Sequence, residues 1–241
     1  QGFGSMDVLC VDKTGTLTGD RVVLEYYMDI LGNENQTVLE LAYLNSLYHT
    51  GVKNHLDGAL LQCSEMPGRG LHFQELAARH PKLDELPFDY ERRFASILVR
   101  RGEENLLIIK GSIDEVCRRC SSVEYKGERH AISGDGMESV RAIVDEMLED
   151  GMKVLAVACK PLKEATLSQA DEHDFTLLGY LAFFDAPKES AAGAIQKLRK
   201  LHVGVRVLTG DHRDIAISVC RRLGIDTTQT LTGRELAQLG E

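Results

Sequence analysis

The feature that most constrains the fold is a short apolar run at residues 8–11, which ends at Asp12 and leads into a polar turn. Strands that are apolar along their whole length are typical of parallel sheets, which are buried on both faces. The same signature returns in the last third of the chain, as alternating strands and helices at residues 178–184, 190–200, 205–208 and 215–223. This alternation predicts an α/β domain whose first strand is separated from the others by a long insertion.

The insertion has a different pattern. Apolar side chains recur there at helical spacing, which predicts amphipathic helices at residues 35–48 and 137–149. Strands are predicted at residues 94–100, 106–109 and 153–159, the first two joined as a hairpin. We therefore expect two domains, a discontinuous one formed by residues 1–23 and 179–241 and an inserted α+β domain at residues 24–178.

The composition excludes several classes of protein. Of the 241 residues, 43% are hydrophobic, which is typical of a globular protein with a buried core. The net charge of -9 argues against a nucleic-acid-binding protein, because such proteins need a positive surface along the phosphates. No apolar run approaches the roughly 20 residues that cross a bilayer, and the first residues lack the pattern of a signal peptide. We expect a soluble chain that makes no membrane contact of its own.

The six cysteines are scattered through apolar stretches, and a chain of this length does not need disulfides to fold. We interpret them as reduced thiols. Cys117 and Cys120 have the spacing of a zinc or redox motif, but no second pair of cysteine or histidine ligands accompanies them. We favour the alternative that both lie one turn apart on a helix.

Residues 12–18, DKTGTLT, carry the strongest chemical signal. A carboxylate at the carboxyl end of a buried parallel strand faces the crevice where open α/β sheets bind ligands, and aspartate can act as a nucleophile toward phosphorus. The Thr-Gly-Thr run that follows offers backbone amides and hydroxyls to phosphate oxygens. The alternative is that Asp12 only caps a turn, as aspartate often does beside glycine.

The seven-residue motif resembles the phosphorylation motif of P-type ATPases, ion pumps that pass through an aspartyl-phosphate. Further motifs of that family follow in the expected order: Phe88-Asp89 with Arg92-Arg93, Lys110-Gly111, the DAPK sequence at residues 185–188, and Thr209-Gly210-Asp211. The resemblance covers the whole chain. It implies an α/β fold in which a partial, Rossmann-like phosphorylation domain of the haloacid-dehalogenase type carries an inserted α+β nucleotide-binding domain.

In the phosphorylation domain the resemblance implies that Asp12 is the nucleophile for the terminal phosphoryl group of ATP. Mg²⁺ would be bound by the Asp12 carboxylate and the Thr14 carbonyl. The remaining catalytic positions implied by the motifs are Lys13, Thr209, Gly210 and Asp211. Related hydrolases of this fold carry a second aspartate at the position of Thr14, where it activates water, so we expect an aspartyl-phosphate on this chain to persist.

In the inserted domain the resemblance implies that Phe88 stacks on adenine, although an ordinary core phenylalanine remains the alternative. Lys110 would close the adenine pocket and Gly111 would allow close approach of the backbone. Asp57 would lie near the adenine amino group, or else it is a solvated helix acid. The sequence Ser112 to Glu115 has capping-box spacing and predicts that a helix starts there.

Four more residues are candidates for contacts with the nucleotide. Lys153 stands where the family commonly has an arginine that contacts the phosphates, and lysine keeps the charge without the bidentate fork. Arg92 and Arg93 are interpreted either as phosphate ligands or as partners of Asp89 and Glu91. Asp185, in the DAPK motif, is assigned to the nucleotide site by the resemblance alone.

The detail of residues 43–49, 51–57 and 88–93 resembles the bacterial magnesium-transporting branch of the family. The resemblance also implies partners outside this sequence, namely membrane and actuator domains, a phosphate-binding lysine and a GDGxND loop. We therefore expect a cytoplasmic fragment, at the inner face of the membrane, that binds ATP or ADP but does not turn ATP over. A soluble haloacid-dehalogenase-like phosphatase and an ATP-binding module without chemistry remain the alternatives.

Overall fold

The computed structural model describes residues 6–51, 53–66, 68, 70–132, 134–210 and 213–238. The chain divides into two compact units. Unit 1 comprises Gln1–Val22, Glu146–Met152 and Phe184–Glu241, and unit 2 comprises Val23–Asp145 and Lys153–Phe183. In the part of the chain that is described, no helix combines the length and apolarity needed to span a membrane.

Unit 2 contains a mixed sheet with helices packed on it. The strands that lie wholly or mainly in unit 2 are β2 (Thr18–Asp29), β3 (Lys82–Leu86), β4 (Phe94–Arg101), β5 (Glu104–Ser112), β6 (Cys120–Tyr125), β7 (Glu128–Ala131), β8 (Lys153–Leu162) and β9 (Phe175–Pro187). Residues 18–22 of β2 and 184–187 of β9 belong to unit 1. The helices of unit 2 are α1 (Gln36–Tyr48), α2 (His55–Gln62), α3 (Gly70–Arg79), α4 (Ile113–Arg118) and α5 (Gly134–Glu149), of which the last four residues, 146–149, belong to unit 1. Within the described residues the strand order is β3-β4-β5-β8-β9-β6-β7, and β2 also pairs with β9.

The centre of this sheet follows from the most apolar runs of the insertion. Strands β4 and β5 form the predicted antiparallel hairpin, and β5 also pairs antiparallel with β8. Six consecutive residues of β4 and seven of β5 are buried, because the sheet is covered on both faces there. The predicted strands and hairpin are therefore confirmed, with β5 and β8 longer than the apolar runs that indicated them.

Helix α1 attaches to this sheet through one polar side chain as well as through apolar packing. Asn35 caps its first turn by accepting from the amides of Thr37 and Val38. Asn45, which is fully buried, donates from its side-chain amide to the carbonyls of Ala95 at 3.0 Å and Ile108 at 3.2 Å. These bonds fix the end of α1 against β4 and β5, next to the residues discussed below.

Unit 1 contains the parallel strand pair β1 (Val8–Asp12) and β10 (Gly204–Leu208). Its helices are α6 (Glu189–Lys200), α7 (Arg213–Arg222) and α8 (Gly233–Gln238). The predicted alternation of strand and helix is confirmed for β10, α6 and α7. The Arg222 guanidinium lies 3.7 Å from the centre of the Phe184 ring, which adds a cation–π contact within the unit.

Three local features differ from the sequence predictions. Residues 18–29 form the long strand β2, although the polar residues at its start indicated only a turn. Helix α4 begins after Ser112 as predicted, but the Ser112 side chain makes no cap hydrogen bond, so the predicted capping box is wrong. Cys120 lies in β6 and only Cys117 lies in a helix, because the helix stops at Arg118.

Residues 178–184 form a strand, β9, but its partner is not the one that the pattern suggested. An uninterrupted apolar run is typical of a parallel sheet, whereas β9 pairs antiparallel with β8 and parallel with the short β6. Ten consecutive residues of β9 are buried. Burial on both faces produces the same apolar run whichever way the neighbouring strands point.

Candidate functional site

A cavity of about 280 Å³ in unit 2 is lined by residues of α2, β4, β5 and β8, by the 88–93 segment, and by His49 and Asn54, which lie between α1 and α2. Four of the residues predicted for nucleotide binding belong to its wall: Asp57, Phe88, Lys110 and Gly111. Its wall also includes Arg93, which the sequence offered as a phosphate partner together with Arg92. His49 and Tyr90 belong to the wall as well, although the sequence did not single them out for this site. Apolar walls with a few convergent polar groups are typical of small-molecule sites.

The polar floor of this cavity is a buried ion pair. Lys110 Nζ donates to Asp57 Oδ1 at 2.6 Å, and both residues are 5% exposed. The Ser46 hydroxyl accepts from Lys110 Nζ and donates to Asp57 Oδ1 at 2.7 Å. Asp57 Oδ2 accepts from the Asn54 amide at 3.2 Å, in the capping box that begins α2. Asp57 is therefore not a solvated helix acid.

The charges of this pair follow from its surroundings. Burial alone raises the pKa of the Asp57 carboxyl, but the Lys110 ammonium and the hydrogen bonds from Lys110, Ser46 and Asn54 outweigh burial and hold the pKa below its usual value. Asp57 is therefore ionised at neutral pH. It neutralises a lysine that would otherwise be buried as an isolated cation.

The aromatic wall of the cavity is accessible. Phe88 is 42% exposed and packs edge-to-face on Tyr90, with ring centroids 5.5 Å apart and an interplanar angle of 85°. A core phenylalanine is normally covered, so this exposure disfavours the alternative in which Phe88 is an ordinary core residue. An exposed ring face beside a cavity is what stacking on a base requires.

Gly111 permits a close approach within the cavity wall. A Cβ at this position would lie 2.3 Å from both the Arg93 carbonyl oxygen and the Phe94 Cβ. Arg93 has a left-handed backbone with a φ of 56°. The Ser112 amide donates to the Arg93 carbonyl at 2.9 Å. The glycine therefore lets β5 pack directly on the backbone that directs Arg93 to the cavity.

Arg92 and Arg93 serve different purposes although they are adjacent. Arg92 Nη1 pairs with the buried Glu172 Oε1 at 2.5 Å, and Glu172 also accepts from the Ser96 hydroxyl at 2.6 Å. Neither Asp89 nor Glu91 is the side-chain partner of this guanidinium. Arg92 is absent from the described wall of the cavity, whereas Arg93 contributes to it.

Lys153 lies at the start of β8 and is exposed. Leu155, two residues further along the same strand, belongs to the cavity wall. Side chains alternate along a strand, so Lys153 and Leu155 share a face of β8. The Lys153 ammonium is thus carried on the same face as the cavity.

His49 closes the end of the cavity next to α1. It is 5% exposed, and its Nδ1 has no hydrogen-bond partner among the described residues. Burial lowers the pKa of the imidazole below its usual value, and the Lys110 and Lys53 ammonium groups add to this effect. The Asp57 and Glu85 carboxylates oppose the shift without reversing it. The imidazole is therefore neutral at pH 7.

The DKTGTLT motif lies in unit 1. Asp12 ends β1 and pairs in register with Leu208, the last residue of β10. The turns that follow, with Thr14 on one side and Thr209 and Gly210 on the other, therefore leave adjacent parallel strands at the same edge of the sheet. The Asp12 carboxylate is exposed and accepts from the Thr14 amide at 3.3 Å. Asp211 lies outside the described residues.

The DKTGTLT turn is held by the DAPK segment of the same unit. Lys13 is fully buried, and its Nζ lies 3.8 Å from Asp185 Oδ2. The Lys188 side chain donates to the Gly15 carbonyl, and its backbone amide donates to the Leu17 carbonyl at 2.9 Å. Asp185 is thus placed against Lys13 within unit 1, and it is not among the described residues that line the cavity of unit 2.

The oxygen donors near Asp12 suit a magnesium ion that is also held by a substrate. No group of three histidine, cysteine or acidic side chains able to hold a metal occurs in the part of the chain that the structure describes. Magnesium is usually bound by one or two carboxylates together with water and substrate phosphates. The Asp12 carboxylate and the Thr14 carbonyl are both hard oxygen donors on an exposed turn, so they fit this mode of binding.

A larger cavity of about 380 Å³ lies in unit 1, between β10, α7 and residues 225–231. None of the described residues predicted for catalysis or nucleotide binding belongs to its wall. Size alone therefore does not identify the functional site of this chain. The smaller cavity of unit 2 combines an exposed aromatic ring, a buried ion pair and an arginine, which is the chemistry that a nucleotide needs.

Comparison with known proteins gives a consistent result. A profile of the family described as "P-type ATPase, cytoplasmic domain N" matches residues 35–190. Magnesium-transporting ATPase, P-type 1 from Escherichia coli (strain K12) is 40% identical over 244 residues, which cover 100% of this chain and 27% of that protein. The protein of the same name from Salmonella typhimurium (strain 14028s / SGSC 2262) is 39% identical over 245 residues, with the same coverage. Calcium-transporting ATPase 1 from Lactococcus lactis subsp. lactis (strain IL1403) is 28% identical over 257 residues, which cover 99% of this chain and 29% of that protein. The chain thus spans somewhat more than a quarter of the length of these relatives.

Proposed function

Because the chain belongs to the P-type ATPase family, we propose that unit 2 binds ATP and that Asp12 of unit 1 accepts its terminal phosphoryl group. Unit 1 then corresponds to a phosphorylation domain of the haloacid-dehalogenase type. Its parallel strands β1 and β10, with α7 after β10, support this assignment. ATP and Mg²⁺ are the proposed ligands.

The cavity of unit 2 supports the binding of an adenine nucleotide. Phe88 offers an exposed ring for stacking, and Gly111 keeps the wall narrow beside it. Arg93 provides a cation within the wall, and Lys153 provides another on the face of β8 that carries Leu155. We propose that these two cations contact the phosphates, while Lys110 remains bound to Asp57 and shapes the floor.

The single observation that carries the phosphorylation proposal is the register of β1 and β10. It aligns Asp12 with Leu208, so the exposed carboxylate and the Thr209-Gly210 turn lie at one edge of the same parallel pair. An attacking carboxylate and groups for the phosphate oxygens need this juxtaposition. If Asp12 only capped its turn, nothing would require a second polar turn at the same edge.

In the proposed step an Asp12 oxygen attacks the terminal phosphorus, the new acyl-phosphate bond forms, and the bond to the leaving ADP breaks. Bound Mg²⁺ would neutralise charge on the transferred phosphoryl group. The Lys188 contacts to Gly15 and Leu17 hold the turn in place during this step. Thr14 cannot act as a general base for water, so the aspartyl-phosphate is expected to be long-lived. Such persistence suits a pump and disfavours a phosphatase.

We further propose that the cation moved by the complete pump is magnesium. The identity to the two magnesium-transporting relatives is 39–40%, against 28% to the calcium-transporting relative. This chain would then act at the cytoplasmic face of a membrane, together with the membrane and actuator domains of the pump. No nucleic acid is among the proposed partners.

Labelling with ATP tests the proposal. The chain is incubated with γ-labelled ATP and Mg²⁺, quenched in acid, and the retained label is measured over time. We expect slow labelling up to at most one equivalent, released by hydroxylamine as acyl-phosphates are, with little steady release of phosphate. Asp12→Asn should take no label, because an amide is not a nucleophile for this reaction.

Asp7→Asn is the matched control, since Asp7 is exposed and lies just before β1 in the same unit. This variant should be labelled like the wild type. Equal labelling of the wild type and Asp12→Asn would refute the nucleophile assignment. A wild-type chain that binds ADP but takes no label above Asp12→Asn would limit the function to nucleotide binding.

A further inference from the structure

His49 combines three properties that the proposed roles leave unexplained. It lies in the wall of the unit 2 cavity, it is 95% covered, and its Nδ1 has no hydrogen-bond partner among the described residues. A buried polar atom without a partner is unfavourable unless something supplies one. The imidazole therefore carries unused hydrogen-bonding capacity at the edge of a ligand cavity.

The position of the His49 ring is determined by the chain around it. Its backbone amide donates to the Asn45 carbonyl at 3.1 Å and ends α1. The next amide, of Thr50, donates to Glu85 Oε2 at 3.0 Å. A Cβ on Gly51 would lie 2.4 Å from the His49 Cε1 and 2.8 Å from its Nε2, so the ring occupies space that a side chain at position 51 would fill. The structure thus builds a defined place for an imidazole.

The other polar groups of the floor are already committed. Asp57 accepts three hydrogen bonds, from Lys110, Ser46 and the Asn54 amide, out of about four that a carboxylate can accept. Lys110 and Ser46 are bonded to the same carboxylate and to each other. Within the described wall, these groups have little capacity left for a base.

We propose that His49 is the base-recognition residue of the cavity, and that its neutral imidazole accepts a hydrogen bond from the 6-amino group of a bound adenine. The inference rests on the proposed binding of ATP by unit 2. It assigns selection of the purine 6-substituent to His49, and it leaves to Asp57 the task of neutralising Lys110. His49 acts on specificity and takes no part in phosphoryl transfer.

The charged groups around the ring are consistent with a neutral acceptor. Lys110 and Lys53 disfavour the imidazolium, and the Asp57 and Glu85 carboxylates favour it. Burial is the largest effect and outweighs the two carboxylates, so the pKa of His49 is lowered. A ring nitrogen with a free lone pair is therefore present at pH 7. Protonation at lower pH would remove that lone pair, because both nitrogens then carry hydrogen.

The test combines a change in the protein, at the His49 side chain, with a change in the ligand, at the 6-amino group of the base. The 241-residue chain is titrated with ADP and with the 5′-diphosphate of purine riboside, which lacks the 6-amino group, by NMR at pH 7.5. We expect the wild type to prefer ADP by about 3- to 10-fold, the effect of one neutral hydrogen bond. In His49→Leu, which removes both ring nitrogens, the preference should fall to about 1, whereas loss of packing alone would weaken both ligands equally.

Two further variants test the role of the imidazole independently of His49→Leu. His49→Asn places a polar atom where Nδ1 stands and should restore part of the preference. Gly51→Ala retains the imidazole but displaces it, so it should reduce the preference too, and it answers the question if His49→Leu does not fold. In the wild type the preference should decline below the pH at which His49 protonates, while that of His49→Asn should stay constant.

The results distinguish failure of nucleotide binding by unit 2 from failure of base recognition by His49. A wild-type chain that does not bind ADP would refute the proposed function. A wild-type chain that binds both diphosphates equally, or a preference that survives in His49→Leu and Gly51→Ala, would refute the role of His49 and leave nucleotide binding intact.

Discussion

Replacement of Asp57 by asparagine removes the only carboxylate that Lys110 contacts in the described structure. The Lys110 side chain is 5% exposed, so solvent compensates only in small part for loss of the carboxylate. In Asp57→Asn the ammonium retains the Ser46 hydroxyl as its described partner. In Lys110→Met the carboxylate retains two donors, Ser46 at 2.7 Å and the Asn54 amide at 3.2 Å. Each substitution therefore leaves one buried charge, but the carboxylate in Lys110→Met keeps two hydrogen-bond donors whereas the ammonium in Asp57→Asn keeps one described partner.

The expected losses of unfolding free energy differ because the two remaining charges keep different numbers of hydrogen-bond partners. Breaking a buried ion pair by removing one partner costs about 3–5 kcal/mol, because the other charge stays buried without compensation. We expect that cost for Asp57→Asn. For Lys110→Met we expect a smaller loss, about 1–3 kcal/mol, since the remaining carboxylate is still hydrogen-bonded. Against a total stability of about 5–15 kcal/mol for a domain, the first loss is large.

Urea unfolding monitored through the amide signals of β5 and β8 measures these losses in unit 2 alone. A chain with two units need not unfold in one step, so a global probe would mix them. The double variant Asp57→Asn, Lys110→Met should be more stable than Asp57→Asn by itself, because it buries no charge. If Asp57→Asn costs less than about 1 kcal/mol and the two single effects add in the double variant, the buried pair described here does not exist in solution.

The same pair makes a prediction about pH. The folded-state pKa of Asp57 lies below its unfolded value, so its contribution to stability is complete above about pH 4 and is lost as the pH falls through the folded pKa. The difference in stability between the wild type and Asp57→Asn should accordingly shrink below about pH 4. A difference that stays constant from neutral pH down to pH 2 would contradict the ionised state assigned to Asp57.

Three more results are expected. Phe88→Ala should weaken ADP binding by about 1–3 kcal/mol in calorimetry, as loss of a stacked ring does, while Leu71→Ala, at an exposed position of α3, should leave it unchanged. Gly111→Ala should destabilise unit 2 by at least about 2 kcal/mol, because its Cβ would overlap the backbone of Arg93, whereas Gly58→Ala in the open interior of α2 should stabilise it by up to about 1 kcal/mol, both measured by urea unfolding. Amides of β10, whose residues are at most half-buried, should exchange with deuterium faster than those of β4, because β10 pairs with β1 alone among the described strands whereas β4 pairs with both β3 and β5; equal protection would contradict this reasoning.

The sequence predicted which segments form helices and strands better than it predicted which strands pair with each other. Long apolar periods located α1, α5, β4, β5 and β8, since burial of one face or both dictates the residue type. The pattern did not indicate that β9 pairs antiparallel with β8, because pairing direction depends on the path of the chain between strands. The strand β2 was missed because its polar start, next to Gly19, has the composition of a turn.

At the candidate site too, the sequence predicted which residues take part better than it predicted which side chains they contact. The motifs identified Phe88, Lys110 and Gly111, which lie together in the cavity wall. They did not distinguish Arg92 from Arg93, whose side chains diverge because of the left-handed backbone at Arg93. The partner of Arg92 is Glu172, which lies 80 residues away and could not be identified by spacing. No periodic signal marked His49, since a single histidine at a helix end has no pattern of its own.

The floor of the cavity also has a consequence for the order in which the chain folds. Its ion pair joins residues 53 positions apart, and the hydroxyl that completes it lies 64 positions from Lys110. Contacts between such distant segments form late, because the intervening chain must first be ordered. A nascent chain that has not yet added β5 therefore holds the Asp57 end of the site without its cation. If unit 2 binds ATP as proposed, the nucleotide stabilises only the finished unit, because the floor of the cavity is incomplete until β5 has been added.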